Sequence, residues 1–172
     1  MSTAENVTGE RGDLLQSLAR QRYFLRFTVR DLTDEQAAQR TTASELSLGG
    51  LIKHVALTER QWISFILDGP SAMGNWDEAS LGDWTDAFRM LAGETLAGLL
   101  EDYEHVAHRT DGLVAALPDL EAAHPLPDAP WFEHGARWSA RRVLLHVIAE
   151  TAQHAGHADI IRESLDGAKS MG

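Results

Sequence analysis

Apolar residues recur at helical spacing through most of the chain, and four stretches show it clearly. The first predicts a helix from Glu10 to Asp31, with Leu14, Leu15, Leu18, Tyr23, Leu25 and Val29 as its apolar stripe. Thr33 and Gln36 then have capping-box spacing for a short turn. Ser47 is a good N-cap for a second helix that runs to Leu67 and is stopped by Asp68-Gly69-Pro70. Residues 70–83 form a Gly- and Pro-containing loop with Trp76. A third helix is expected from Thr85 to Leu117, where Pro118 ends it. It places Phe88, Leu91, Leu99, Tyr103, Val106, Thr110, Leu113 and Leu117 on one face, and Gly93 and Gly98 weaken it locally. Residues 118–138 are a long connection rich in Pro and Asp, in which Trp131, Phe132 and Trp138 argue against simple disorder. Ser139 caps a fourth helix that ends at Gly167. Alternating strand patterns are weak throughout. The expectation is an all-α, four-helix bundle forming a single domain over residues 1–172, with residues 1–9 as a loose tail.

Composition narrows the chemistry. There is no cysteine, which removes disulfides, thiolate metal sites and a protein-borne cysteine nucleophile. Any thiol chemistry needs a thiol from outside. The polar, acidic start is no signal peptide, and no stretch approaches a membrane span, so the expected location is the cytoplasm, with no membrane partner. The net charge of -11 opposes binding to phosphate backbones, so no nucleic-acid partner is expected.

The fourth helix concentrates the candidate chemistry. At helical pitch Glu150 lies about 40° from His146, His154 about 80° and His157 about 20°, so all four share one face. Four titratable side chains on one inward face are costly unless something satisfies them, and a metal ion does this well. On the second helix His54 shares the apolar face of Leu51, Thr58, Trp62 and Phe65, so its imidazole looks inward. Two His and one carboxylate are a familiar set for a catalytic metal, zinc or non-haem iron, with a coordination position left open. The plainer reading of His54 is a hydrogen-bonded core histidine, and that of the cluster is a hydrogen-bonded core or a metal-free binding pocket. His105 and His108 lie off the apolar stripe and are expected in solvent, while His124 and His134 carry no spacing information. No H-E-x-x-H stretch and no E-x-x-H pair on two helices is present, which argues against a zinc metalloprotease and a di-iron bundle.

Two segments resemble a known family. Leu46 to Trp62, which contains Gly49-Gly50 and His54, resembles the second helix of the DinB/YfiT-like superfamily of metalloenzymes. Trp138-Ser-Ala-Arg-Arg-Val-Leu-Leu-His146, continuing to Arg162-Glu163, resembles its fourth helix. The subgroup is the one named after a "mini-circle protein". The resemblance implies an up-down-down-up bundle and a divalent metal, zinc foremost and nickel or iron otherwise, held by His54, Glu150 and His154. Relatives commonly have a third His where Glu150 stands, but a maleylpyruvate isomerase that uses mycothiol has the same His, Glu, His set. His157 stands where many relatives have Gln, and is a candidate catalytic group or second-shell donor. Superfamily members are often dimers, so a homodimer is compatible with the resemblance, though no sequence feature shows it.

Characterised relatives join low-molecular-weight thiols such as mycothiol to electrophiles, or isomerise through such adducts. The first expectation is therefore a metal-dependent thiol S-transferase or isomerase in detoxification, with a small thiol and an electrophile as partners. Trp62, Trp138 and Arg141 are the candidate substrate contacts. Arg137, Arg141 and Arg142 either bind a carboxylate or sugar hydroxyls or form a solvated basic patch, and Trp131 and Trp138 either cap a pocket or pack under the connection. The alternatives are a metal-dependent hydrolase and a non-enzymatic, metal-stabilised binding or scaffold protein.

Overall fold

A computed structural model describes residues 7–74 and 85–170. Four long or medium helices carry the architecture: α1 (Gly9–Thr28), α3 (Leu48–Asp68), α4 (Leu96–Ala116) and α5 (Ala140–Asp166), with a short α2 (Asp34–Ala38) between the first two. A 3-10 turn, Gly69–Met73, follows α3. Strands β1 (Ala123–Pro125) and β2 (Arg137–Ser139) pair antiparallel, with His124 opposite Trp138. The fold is all-α, as expected. Among the described residues no helix is long and apolar enough to cross a membrane.

The caps read from the sequence are present. Thr33 and Gln36 form a full capping box on α2. The Ser47 hydroxyl accepts from the Gly50 N–H at the start of α3, and the Ser139 hydroxyl accepts from the Arg142 N–H at the start of α5. Gly167, left-handed at φ 79, closes α5.

Several expectations need correction. The third helix begins at Leu96, not Thr85. Gly93 is left-handed at φ 88, and Thr95 caps Gly98 while Asp34 accepts from the Leu96 N–H. A left-handed residue followed by a capped start forces a new helix there. Leu91 is consequently exposed. The connection over 118–138 is not structureless, since its two ends zip into the β1–β2 ribbon. Tyr23 is 59% exposed, and Arg22 takes the inward position on α1 instead. Trp76, in the loop expected over 70–83, lies outside the described residues.

The helices associate as two parallel pairs. The Arg141 ion pair with Glu10 marks one end of the α1–α5 contact, and Arg162 Nη1 donating to the Thr28 carbonyl at 2.7 Å marks the other. Lys53 with Glu94 at 2.7 Å, and Arg60 with Asp102, set α3 beside α4 in the same direction. One core cluster joins Leu15 and Leu18 of α1 to Ile63 and Phe65 of α3 with Val143, Leu144 and Val147 of α5. A second joins Leu25 and Val29 to Leu48, Leu51 and Ile52, with Tyr103, Ala158 and Ile161.

Between the clusters sits a buried polar layer. Arg22 Nε donates to Glu59 Oε2 at 3.1 Å, Arg22 Nη1 to Asp111 at 2.9 Å and the Thr110 hydroxyl to Glu59 Oε1 at 2.6 Å. Burial penalises the charged guanidinium, but the Glu59 and Asp111 carboxylates outweigh that and hold Arg22 above its ordinary pKa.

Candidate metal centre

The chemistry-bearing faces of α3 and α5 are turned toward each other. His54 on α3 and Glu150 and His154 on α5 each offer a ligand atom, and these atoms all lie within 4.8 Å of one another. The helical spacing explains it: Glu150 and His154 are one turn apart and lie on the same face. His54 projects from the apolar stripe of α3, where Leu51 and Val55 are buried beside it. The rings of His54 and His154 approach edge to face at 4.8 Å. His154 Nε2 is 3.7 Å from Glu150 Oε2, and its Nδ1 is 3.4 Å from Nδ1 of His157.

The electrostatics favour a cation. Burial lowers the His54 pKa to about 4, repulsion from His154 adds to this and Glu150 opposes it. His54 is therefore neutral at physiological pH, as a metal ligand must be. Contact with His154 lowers the Glu150 pKa against the desolvation that would raise it, so the carboxylate is charged. Burial likewise lowers His146, one turn earlier, against the pull of Glu150. Two imidazoles and one ionised carboxylate, drawn from two helices and converging on one point, fit a divalent ion and leave room for an external ligand.

Residues 13–167 match the family model of mycothiol-S-transferase. The chain belongs to the mycothiol-S-transferase family. This is a DinB/YfiT-like family, so the superfamily expected from the α3 and α5 segments holds. No curated protein matches the chain. Among solved structures, a conserved protein from Enterococcus faecalis matches with a TM-score of 0.68 at 15% identity, covering 94% of this chain and 100% of that one. That likeness concerns the fold alone.

In this mycothiol-S-transferase family member an aromatic cluster lies beyond His54 toward the start of α5. Trp62 stacks on Trp138 at 4.9 Å, with both indoles edge-on to His146 at 4.8 and 5.1 Å. Phe132, from the long connection, closes the cluster against Trp62 and Trp138. The connection thus carries Trp138 against Trp62, whereas Trp131 is 59% exposed beside Phe132. Arg141 points elsewhere: it pairs with Glu10 of α1 and with Glu121. Its neighbour Arg142 lies over Trp138, 4.7 Å from the ring centroid. His105 and His108 are exposed, as expected, and His124 Nε2 meets the Ile66 carbonyl at 3.2 Å.

Two contacts at the site lie beyond the sequence reading. Phe88 stacks on His54 at 3.8 Å, and Thr58 Oγ1 sits 3.4 Å from His54 Nε2. Thr58 follows from an i, i+4 relation. Phe88 does not, because it reaches His54 from a segment that crosses the start of α3. The Gly49-Gly50 pair was the available signal: a Cβ on Gly50 would strike the Phe88 carbonyl, and one on Gly49 the Met90 side chain.

Proposed function

We propose that this protein is a metal-dependent thiol S-transferase that binds one divalent ion, zinc by preference, through His54, Glu150 and His154. The observation that carries the reading is the convergence of those three donors within 4.8 Å in a member of the mycothiol-S-transferase family. A divalent ion held by these three donors would supply the charge that lowers the pKa of an external thiol and favours its thiolate. The residues around it have separable tasks. His54 is kept neutral by burial and braced by Phe88 and Thr58. Glu150 supplies the negative charge that a site of two neutral imidazoles lacks. His157, half-buried and 3.4 Å from the far nitrogen of His154, orients that ligand or carries the thiol proton away. The absence of cysteine is in keeping with a nucleophile supplied by the co-substrate. The whole chain acts in this reading as one domain.

The test is metal content by mass spectrometry, followed by turnover of a generic electrophile with and without thiol. Wild-type protein is expected to hold about one equivalent of metal and His154→Ala less than about a tenth of that. Turnover that needs both metal and thiol supports the transferase. Turnover without thiol would assign a hydrolase instead, and a folded protein that takes up no zinc, nickel or iron sinks the reading.

A further inference from the structure

Residues 85–95 form a strap that crosses the start of α3 beside His54. Three grips seat it. The Phe88 carbonyl passes so close to Gly50 that a Cβ there would strike it, and the Met90 side chain lies as close over Gly49. Lys53 makes the third grip: its Nζ lies 2.7 Å from Glu94 Oε1 and donates to the Arg89 carbonyl at 3.4 Å. Glu94 Oε2 in turn accepts from the Leu91 N–H at 2.7 Å, across a turn whose Gly93 is left-handed. Lys53 therefore holds the strap on both sides of that turn. The outcome of this seating is that the Phe88 ring lies on the His54 imidazole, 3.8 Å between centroids and 20° from parallel.

That contact bears on ligation. An imidazole offers its lone pair in the plane of the ring, so a turn of the ring aims the nitrogen away from an ion. A parallel ring against one face resists the turn, and a phenyl group has no donor atom that competes for the ion. Core closure alone asks only for an apolar side chain at position 88, not for one laid flat on a histidine. The Lys53–Glu94 pair is also sheltered. Its side chains are 20% and 29% exposed, against 40% or more for both partners in Arg26–Glu104 and Arg60–Asp102. A sheltered pair is screened less by water and salt, which gives it leverage over the strap that an exposed pair lacks.

We infer that Lys53 and Glu94 are positioning residues: their ion pair keeps the strap seated, holds Phe88 on His54 and so sets the affinity of the site for its divalent ion. The inference rests on the metal-binding part of the proposed function and adds the device that preorganises one ligand. Lys53 is told from a bystander by sign. Lys53 directly precedes His54 on α3. An ammonium group beside a site for a dication repels it, so by charge alone the loss of Lys53 tightens metal binding. Acting through the strap, its loss loosens binding instead. Linkage adds a second signature. If a seated strap favours the ion, the ion must equally favour the seated strap.

The test is zinc affinity, measured by competition with a chelator, for wild type, Lys53→Met, Lys53→Arg, Glu94→Gln and Phe88→Leu. Affinity is expected to fall about tenfold in Lys53→Met and in Glu94→Gln, and to recover for the most part in Lys53→Arg. Added to Phe88→Leu, which is itself weakened, Lys53→Met is expected to cost less than about twofold more. Two further readouts need no turnover. The ring-current shift that Phe88 imposes on the His54 ring protons of metal-free protein shrinks in Lys53→Met and Glu94→Gln. Exchange of the Leu91 amide slows on zinc binding in wild type, and slows less in Lys53→Met. Lys53→Gln takes the place of Lys53→Met should the latter not fold. Unchanged or tighter zinc binding in the folded Lys53 variant overturns the inference, even if its thermal midpoint falls, because the pair is then a structural tie only. A further tenfold loss in the Phe88→Leu background also overturns it, since Lys53 then acts by another route. Wild type that takes up no zinc defeats the metal reading and this inference with it. Clasp-dependent zinc affinity without thiol-dependent turnover leaves the clasp standing and defeats the transferase reading alone.

Discussion

Glu59 has no exposed surface, yet its carboxylate is fully engaged by Arg22 and Thr110. It occupies the stripe of α3 that otherwise holds Ile52, Val55, Ile63 and Ile66, and a charge in such a stripe demands a partner. Nothing in a single helical pattern says which residue that partner is; Arg22 was hidden behind Tyr23 in the expected stripe of α1. Truncating one member leaves the other buried and uncompensated. Glu59→Ala is expected to lose about 3–5 kcal/mol in urea unfolding, while a combined Arg22→Met, Glu59→Leu, Asp111→Asn replacement, which leaves no partner charged, recovers most of that loss. Equal losses in the single and combined variants would show that packing, and not the unpaired charge, sets the cost. The same limit on legibility separates Arg141 from Arg142. They lie about 100° apart on α5, and only the positions of Glu10 on α1 and Glu121 on the connection decide that Arg141 and not Arg142 is paired.

At the scale of elements, the legible features were those with local chemistry. Ser47, Thr33, Ser139 and Gly167 mark their helix ends because a cap is satisfied by neighbours in sequence. The β1–β2 ribbon was not legible, because three-residue strands are too short to show alternation. The start of α4 was half visible: Gly93 signalled a weakness, but the Asp34 side chain that caps Leu96 comes from 62 residues away. Glycines make the distinction testable. Gly50 lets the chain around Phe88 cross the start of α3, so Gly50→Ala is expected to cost about 1–3 kcal/mol and to loosen metal binding by displacing Phe88 from His54. Gly112 sits in α4 with open space around it, so Gly112→Ala is expected to gain up to about 1 kcal/mol and leave metal affinity unaltered. Thermal midpoints and zinc titrations of the two variants check both. A Gly50→Ala protein with wild-type zinc affinity would remove Phe88 from the site.

For the whole molecule, the proposed metal site lies where α3 and α5 pack, so an ion bound there would link occupancy to the stability of the bundle. In the metal-free protein His54 titrates at about 4 instead of 6.5 because burial disfavours its charged form. Above pH 6.5 the imidazole is neutral in both folded and unfolded chains and pH has no leverage through it. As pH falls from 6.5 toward 4 the unfolded chain takes up the proton first, so stability is lost over that window, by roughly 3 kcal/mol in total. His146, lowered in the same direction, adds to the loss. Thermal midpoints of metal-free protein should therefore drop steadily below pH 6.5, and His54→Gln should flatten that slope. Zinc acts in the opposite sense. Ions bound only by the folded chain add about 4 kcal/mol at a thousandfold excess over Kd, and the gain shrinks with acid because protons compete for the same donors. An identical pH slope in His54→Gln would place the acid sensitivity in other groups. A midpoint indifferent to zinc at pH 7.5 would detach the metal from the fold, because an ion bridging two helices cannot bind without stabilising their packing.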